Sequence, residues 1–352
     1  MTDLSHLRVY SPGYQAIEWG FGYDQIVDLA TALAQPCSIA VMPVYSNRPT
    51  EFSYQPEFDS VPLHEFDLVL FTDIEWRSQA ELLAWIQTTG VENWLLHVAG
   101  LWLDEIPHPR VIYRPAWSFN FLRWNPPRED FAQQRPFAFE CLLGARREHR
   151  DFVMLSLQQS GLLHDNVVTY RDIFVGHWIE QTPARVASLF ENQSLPYPYV
   201  SPHLDPAWEV KSQMDNSVSG LVPWEIYNRT WFSVVCETLS SGRVFLSAEK
   251  IAKCLQARRL FVVFAMQNFL QHYRDWGFET FGDVIDESYD SEYNDITRWQ
   301  QAFQQVQSLC KQDLPLLLPK LKPRLDHNHH RLYQLEQEVR HRMHELIAAY
   351  LK

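Results

Sequence analysis

Short, continuous apolar runs recur along the chain and alternate with segments of helical periodicity. In the first third, 38–44 and 67–72 are such runs, whereas 79–88 has the spacing of an amphipathic helix. A strand that is apolar without interruption is covered on both faces, as in a parallel sheet between two layers of helices. The alternation therefore predicts an α/β fold with doubly wound, Rossmann-like sheets.

The same pattern extends over most of the chain. Further strands are predicted over 7–10, 94–98, 110–113, 137–143, 167–170, 231–237 and 260–264. Further helices are predicted over 24–34, 148–159, 248–258, 267–276 and 294–312. With 352 residues the chain is too long for one core and suits two α/β domains.

A polar stretch rich in proline, 119–136, separates the two series of strands and helices. We therefore predict an N-terminal domain over 1–130, a C-terminal domain over 136–325 and a C-terminal helical segment over 326–352. From Arg331 onward this segment is amphipathic, and we expect it to pack on the domains or on a partner. The residues of its apolar stripe are Leu332, Leu335, Val339, Met343, Leu346 and Ile347.

Composition narrows the function classes. A net charge of −13 disfavours a general nucleic-acid binder, although it leaves room for a local basic patch. No apolar run approaches the roughly 20 residues of a membrane span, and the N-terminus lacks the pattern of a signal peptide, so a cytoplasmic location is expected. The five cysteines are not closely paired, which favours reduced thiols and disfavours a zinc site.

The first candidate site follows the buried strand that ends at Glu237 and Thr238. Ligands of open α/β sheets bind beyond the carboxyl ends of strands, and a helix N-terminus there can hold a diphosphate. Ser247 is the expected N-cap of the next helix, Lys250 lies in its first turn, and Glu237 could accept hydrogen bonds from ribose hydroxyls. The alternative is that Glu249 and Lys250 are ordinary surface residues.

The second candidate site is an arginine-rich turn directly after the strand 137–143. Arg146, Arg147 and Arg150, with His149 among them, could form an anion-binding concavity, because a guanidinium matches phosphate oxygens bidentately. The alternative is a charged turn exposed to solvent.

Two further clusters could suggest metal binding. The acidic residues of 286–290 could ligate a metal through oxygen, but they can equally cap the helix that begins near Asp295, and we favour that structural role. The histidines of 327–330 lack partner ligands and are better explained as a helix start at the surface. No metal is predicted.

Taken in order, these motifs resemble a group of bacterial and phage glycosyltransferase-like proteins. The C-terminal half of that group is similar to the fucosyltransferases and, more distantly, to the exostosins. The resemblance spans about 137–309 and begins at the arginine-rich turn. The motifs that follow it are Glu237-Thr238, Phe245-x-x-x-Glu249-Lys250-x-x-Lys253, Gly277-Phe278-x-Thr280-Phe281 and Asp286-Glu287-Ser288-Tyr289-Asp290.

The resemblance implies a GT-B arrangement, in which two Rossmann-like domains face each other across a cleft and the C-terminal one binds the nucleotide sugar. Arg146 or Arg147 and Lys250 would then hold the diphosphate. Glu237 and Glu249 would be carboxylates on the ribose or sugar side. The full expected donor-binding set is Arg146, Arg147, Arg150, Glu237, Thr238, Ser247, Glu249, Lys250 and Lys253. The nucleotide sugar is a co-substrate, and no other cofactor is implied.

One position departs from the pattern. The family usually has Thr before the Glu-Lys pair, where this chain has Ala248. The missing hydroxyl implies an altered donor, or weakened or absent activity. A non-catalytic nucleotide- or carbohydrate-binding protein on the same fold is therefore the alternative to a hexosyl- or pentosyltransferase.

The N-terminal half would bind the acceptor. An inverting transferase needs a general base at the acceptor hydroxyl, whereas a retaining one does not. The sequence distinguishes neither an inverting from a retaining reaction nor one donor sugar from another. The candidates are Glu18, Asp24, Asp73 and His97. We rank Glu18 and Asp24, in an aromatic and glycine-rich loop, above His97, because a lone histidine is more often structural.

The acceptor would be a glycan, a lipid-linked sugar or a small molecule. A modified DNA base is a further option that the acidic net charge disfavours. It would need a basic track along the cleft, for which Arg110, Arg114 and Arg123 are the candidates.

Overall fold

The computed structural model of the protein describes residues 5–11, 21, 23–48, 51–53, 61–73, 78–104, 106–113, 115, 135–171, 179, 181–191, 193–204 and 221–351. The chain forms two compact units. The first comprises Met1–Phe119, Arg243–Ser247 and Tyr333–Lys352, and the second comprises Asn120–Gly242 and Ala248–Leu332. Each contains a parallel sheet with helices packed on it, which confirms the α/β class.

The strands are short, as expected for buried strands of α/β units. They are β1 (Val9–Tyr10), β2 (Ile26–Val27), β3 (Ile39–Arg48), β4 (Glu51–Ser53), β5 (Leu68–Asp73), β6 (Trp94–Val98), β7 (Gly100–Trp102), β8 (Val111–Tyr113), β9 (Phe137–Leu143), β10 (Val167–Tyr170), β11 (Tyr199–Val200), β12 (Thr230–Cys236), β13 (Val244–Leu246) and β14 (Leu260–Phe264).

The helices vary more in length. They are α1 (Leu29–Leu33), α2 (Gln79–Thr88), α3 (Glu148–Gln159), α4 (Ala184–Ala187), α5 (Trp224–Tyr227), α6 (Glu249–Gln256), α7 (Phe269–Asp275), α8 (Asp295–Leu309) and α9 (Leu314–Tyr350). No helix in the described part of the chain has both the length and the apolar character needed to cross a membrane.

The sheet of the first unit has the order β2-β1-β3-β5-β6-β8, and all of these pairs are parallel. Its two faces are buried by different partners because side chains alternate along each strand. On one face Ala40 and Met42 pack with residues of α1 and α2. On the other face Ile39 and Val41 pack with Met343 and Ile347 of α9. Strands buried on both faces explain the uninterrupted apolar runs.

The sheet of the second unit has the order β11-β10-β9-β12-β14. β10, β9, β12 and β14 are parallel, and β11 is antiparallel at the edge. Helix α6 packs on β12 and β14, while α8 packs on β14 and α3. From β9 the chain first adds β10 on one side and later β12 on the other. The order therefore reverses between β9 and β12, and this switch point is where such folds bind ligands.

Several elements differ from the sequence-based predictions. The segment 24–34 is not one helix: Ile26–Val27 is a strand beside β1, and the helix starts only after Asp28, whose carboxylate accepts from the Thr31 amide. The β-branched pair Ile26 and Val27 favours a strand, and a capping Asp stops a helix from extending backward.

The boundaries of the units also differ from the predicted domains. Helix α9 begins at Leu314 rather than at Arg331, and its last part, 333–350, belongs to the first unit. The short strand β13 follows β12 in sequence, yet it pairs antiparallel with β7 inside the first unit. Contacts between residues far apart in sequence decide both features.

Candidate functional site

The candidate site of the second unit lies at the switch point between β9 and β12. The arginine-rich turn follows Leu143 at the carboxyl end of β9, and Glu237 and Thr238 follow the carboxyl end of β12. Because β9 and β12 are parallel neighbours, their carboxyl ends lie at one edge of the sheet. The fold thus brings together two segments that are about 90 residues apart in sequence.

Arg146 is bound to a buried carboxylate of its own unit. Its guanidinium donates to Asp151 Oδ2 at 2.6 Å and to Thr182 Oγ1 at 3.1 Å. Asp151 is fully buried and also accepts from the Tyr170 hydroxyl at 2.5 Å. A buried carboxylate with several donors is strongly held, so Arg146 fixes the turn rather than presenting an uncommitted charge.

Arg150 and His149 are both buried and bind backbone carbonyls. Arg150 Nη1 donates to Ala145 O at 2.7 Å, and its other terminal nitrogen lies 3.4 Å from Glu237 O. His149 Nε2 donates to the same Glu237 carbonyl at 2.9 Å. Burial, together with the Arg150 charge, lowers the pKa of His149, so its ring is neutral. These two side chains tie the start of α3 to the end of β12.

Thr238 is the point at which two cationic side chains from different segments converge. Its carbonyl accepts from Arg147 Nη1 at 2.7 Å, and its hydroxyl accepts from Lys250 Nζ at 3.2 Å. Thr238, Arg147 and Lys250 are only half-buried, whereas Arg150 and Glu237 are buried. Burial and the neighbouring Arg150 charge lower the pKa of Arg147, which means that its positive charge is costly there. An anion at this position would relieve that cost.

Glu237 is fully buried and binds backbone amides. One carboxylate oxygen accepts from the Thr238 amide at 3.2 Å, and the other lies 3.4 Å from the Ile251 amide in the first turn of α6. Burial raises the pKa of Glu237, although the Lys250 charge opposes this. A carboxylate in this position joins the end of β12 to α6.

The N-cap of α6 is Ala248 and not the expected Ser247. Ala248 has the extended backbone of an N-cap, but alanine offers no side-chain acceptor for the amides of the first turn. Ser247 is fully buried and belongs to the first unit, directly after β13. The prediction was one residue out because Ala is a poor cap and Ser a good one, so local preference pointed to the wrong position.

Glu249 and the two lysines of α6 form a small charged group. Glu249 Oε1 accepts from Lys250 Nζ at 2.8 Å. Burial alone would raise the pKa of Glu249, but the Lys250 and Lys253 charges outweigh it and lower that pKa to about 2. Burial lowers the pKa of Lys253 to about 8, against the opposing effect of Glu249. Glu249 therefore stays ionised at neutral pH, and Lys253 remains largely cationic.

The charges at this edge of the sheet are predominantly positive. The cationic side chains are Arg146, Arg147, Arg150, Arg185, Lys250 and Lys253, and the carboxylates are Glu148, Asp151, Glu237 and Glu249. Cations therefore outnumber carboxylates even with every carboxylate ionised. An excess of positive charge beside a helix N-terminus favours an anionic ligand, and a phosphate is the common one.

Sequence reasoning missed two residues that organise the site. Asp151 was overlooked because its position within α3 suggests an ordinary helix residue. Arg298 of α8 is buried, and it donates to Ser240 O at 2.7 Å and to Ala265 O at 3.1 Å. It thus fixes the segments after β12 and β14. A single arginine in a predicted helix carries no local signal for this role.

The acidic residues of 286–290 order backbone, as favoured from the sequence. Asp290 accepts from the Leu270 and Gln271 amides at 2.8 and 3.0 Å, so it caps α7. The helix beginning at Asp295 is capped instead by Asn294. Glu287 accepts from Thr280 Oγ1 and the Phe281 amide. Within the described ranges no group of histidine, cysteine and acidic residues could hold a metal ion.

The candidate general bases lie in different environments. Asp24 is exposed in a short 3₁₀ helix, Tyr23–Gln25, and His97 is buried within β6. Strand β5 ends at Asp73, while Glu18 lies outside the described residues. Because Thr72 lies opposite His97 and Asp73 opposite Val98, Asp73 and His97 lie on adjacent parallel strands near the carboxyl end of this sheet.

No protein-family model matches the chain, and no curated protein matches its sequence. The family resemblance drawn from the motifs stays a prediction.

Proposed function

We propose that the protein is a glycosyltransferase that moves a hexosyl or pentosyl group from a nucleotide sugar to an acceptor. The observation that carries the proposal is the convergence of Arg147 and Lys250 on the two oxygens of Thr238, at the switch point of a parallel sheet. Two cations that bind two oxygens of the same residue suit the two phosphates of a diphosphate. A diphosphate is also the leaving group of most nucleotide-sugar donors.

The proposal divides the predicted donor set by burial and, for the half-buried Arg146, by its pairing with Asp151. Arg147, Thr238, Glu249, Lys250 and Lys253 are half-buried and would contact the donor. The other members support them: Arg146 through Asp151, Arg150 and Glu237 through backbone contacts, and Ser247 as a buried residue. In the reaction the cations would stabilise the negative charge that develops on the departing diphosphate.

The proposal includes the GT-B arrangement, with the acceptor bound by the N-terminal Rossmann-like domain. Asp24, being exposed, and Glu18 remain the proposed general bases for an inverting reaction, ahead of the buried His97. A DNA acceptor gains no support. Arg110 donates to Glu92 O at 2.8 Å and lies over the Trp94 ring, and the other two arginines of that track, Arg114 and Arg123, lie outside the described residues.

A panel of sugar nucleotides tests the function directly. The midpoint of thermal unfolding and the release of free nucleotide would be measured for each donor. Stabilisation and slow release with one donor support the enzyme. Stabilisation without release, even with acceptor extracts, would instead favour the non-catalytic binding protein, and no response to any nucleotide would reject the donor site.

Replacing Lys250 tests the site. Lys250→Ala should weaken donor binding by about 1.5–3 kcal/mol, because a charge-assisted contact to phosphate is lost. Dissociation constants from isothermal titration calorimetry would be compared with those of Lys322→Ala. Lys322 is exposed and pairs with Asp326. Like Lys250→Ala, Lys322→Ala removes a lysine from an ion pair, but it should leave donor affinity unchanged. Equal affinity in wild type and Lys250→Ala would exclude Lys250 from the site.

A further inference from the structure

Tyr293 is an exposed aromatic side chain in the second unit. It lies between the 3₁₀ helix Glu287–Ser291 and the start of α8, and its side chain is 83% exposed. Large aromatic side chains usually bury most of their surface, because they contribute strongly to cores and interfaces. No other aromatic residue is comparably exposed in the part of the chain that the structure describes.

The backbone around Tyr293 is held on both sides. The Asn294 amide donates to the Glu292 carboxylate at 2.8 Å, and Asn294 Oδ1 accepts from the Thr297 amide at 3.0 Å. Arg298 Nη1 donates to the Glu292 carbonyl at 2.7 Å. A ring on a fixed backbone loses little conformational freedom when a ligand binds.

Two links connect the Tyr293 segment to the cationic site. Arg298, which holds the Glu292 carbonyl, also holds the Ser240 carbonyl, two residues after Thr238. Asp295 lies 3.7 Å from Arg185, and Arg185 in turn pairs with Glu148, the residue after Arg147.

These links lie within the second unit, and they place the Tyr293 segment beside both segments that converge on Thr238. The backbone that carries Tyr293 is thus joined to the segments that carry Arg147 and Thr238.

We infer that the Tyr293 ring is a stacking platform for the nucleobase of the donor. The inference rests on the proposed function, because the diphosphate on Arg147 and Lys250 supplies the anchor from which the base extends. Every nucleobase has a π-face, and stacking on an aromatic ring contributes to affinity with little dependence on base identity. Tyrosine offers a large, rigid contact surface at low entropic cost.

The test compares ligands with and without a base. UDP, GDP, ADP and inorganic pyrophosphate are titrated into wild type, Tyr293→Ala and Tyr293→Trp by isothermal titration calorimetry. Tyr293→Ala should weaken the best nucleoside diphosphate at least about fivefold, the size of a weak base–aromatic stacking contact. The affinity of Tyr293→Ala for pyrophosphate should equal that of wild type. Tyr293→Trp should retain nucleotide binding. Leu316→Ala, another exposed apolar residue of the second unit, is the control.

Each other outcome has a separate meaning. Unchanged nucleotide affinity in Tyr293→Ala overturns the stacking role and leaves the diphosphate site intact. A parallel loss of nucleotide and pyrophosphate affinity also overturns it, because the substitution then acts on the cationic site. If wild type binds neither pyrophosphate nor any nucleoside diphosphate, the proposed function fails and the stacking role fails with it.

Discussion

At the scale of single residues, His149 shows how burial couples the site to pH. Its ring donates to Glu237 O from a buried position, and burial with the Arg150 charge lowers its pKa. In the unfolded chain the pKa returns to about 6.5. Below that pH the unfolded state takes up a proton that the folded state does not bind. Stability is therefore present above about pH 6.5 and falls as the pH drops below it.

His149→Gln should flatten this acid sensitivity. Glutamine can still donate to the carbonyl but does not titrate, so the free energy of unfolding should fall less steeply between pH 6.5 and 5. The slope should decrease by up to about 1.4 kcal/mol per pH unit. Urea denaturation at several pH values measures this slope. His64→Gln, which replaces an exposed histidine, is the control. Identical slopes in wild type and His149→Gln would refute this account.

The three arginines of the turn after β9 could not be separated from sequence. All three share one residue type and one local context, and each was a reasonable phosphate ligand. Arg146 is committed to Asp151 and Arg150 to backbone carbonyls, whereas Arg147 reaches Thr238 from a half-buried position. The partners that distinguish them come from α3, β10 and β12, and local sequence holds no information about those distances.

At the scale of secondary-structure elements, α6 shows what a missing hydroxyl costs. Its N-cap, Ala248, leaves the first-turn amides without a side-chain acceptor at the cap position, and the Ile251 amide reaches Glu237 only at 3.4 Å. The resemblance noted in the sequence predicts Thr at this position. The departure therefore has a structural consequence, the loss of a helix cap, whatever its effect on the donor.

Ala248→Ser should stabilise the protein by about 1 kcal/mol, because serine can accept from the Lys250 or Ile251 amide. Chemical denaturation measures the change. Ala257→Ser, at the C-terminal end of the same helix, is the matched control and should give no stabilisation, since the cap effect is specific to the N-terminus. If Ala248→Ser is no more stable than wild type, capping does not explain the position. Unchanged donor affinity in a stabilised Ala248→Ser would show that the hydroxyl is structural.

At the scale of the whole molecule, the C-terminal part of α9 completes the hydrophobic core of the first unit, which contains the N-terminal strands. Met343 and Ile347 of α9 are fully buried against β1, β3 and β5 in the first unit. The apolar stripe of this segment was visible in the sequence, but its docking surface was not. Many surfaces can bury an amphipathic helix, and only the three-dimensional arrangement selects one.

Ile347→Ala should lower the free energy of unfolding by about 2–5 kcal/mol, because it leaves a cavity in a closed core. Leu316→Ala lies on the same helix, where the side chain is 64% exposed, and should change stability by less than about 0.5 kcal/mol. Thermal and urea unfolding followed by circular dichroism would compare the two variants. Similar effects from both would mean that the end of α9 does not contribute to the core.

Elements that repeat a clear apolar pattern could be predicted from the sequence alone. The run of β14 was located to the residue, because a strand buried on both faces admits almost only apolar side chains. Tertiary structure alone decided the order of the strands, the pairing of β13 with β7 and the partner of each arginine. These depend on contacts between distant segments, where burial and hydrogen bonding select one arrangement among many that local preferences allow equally.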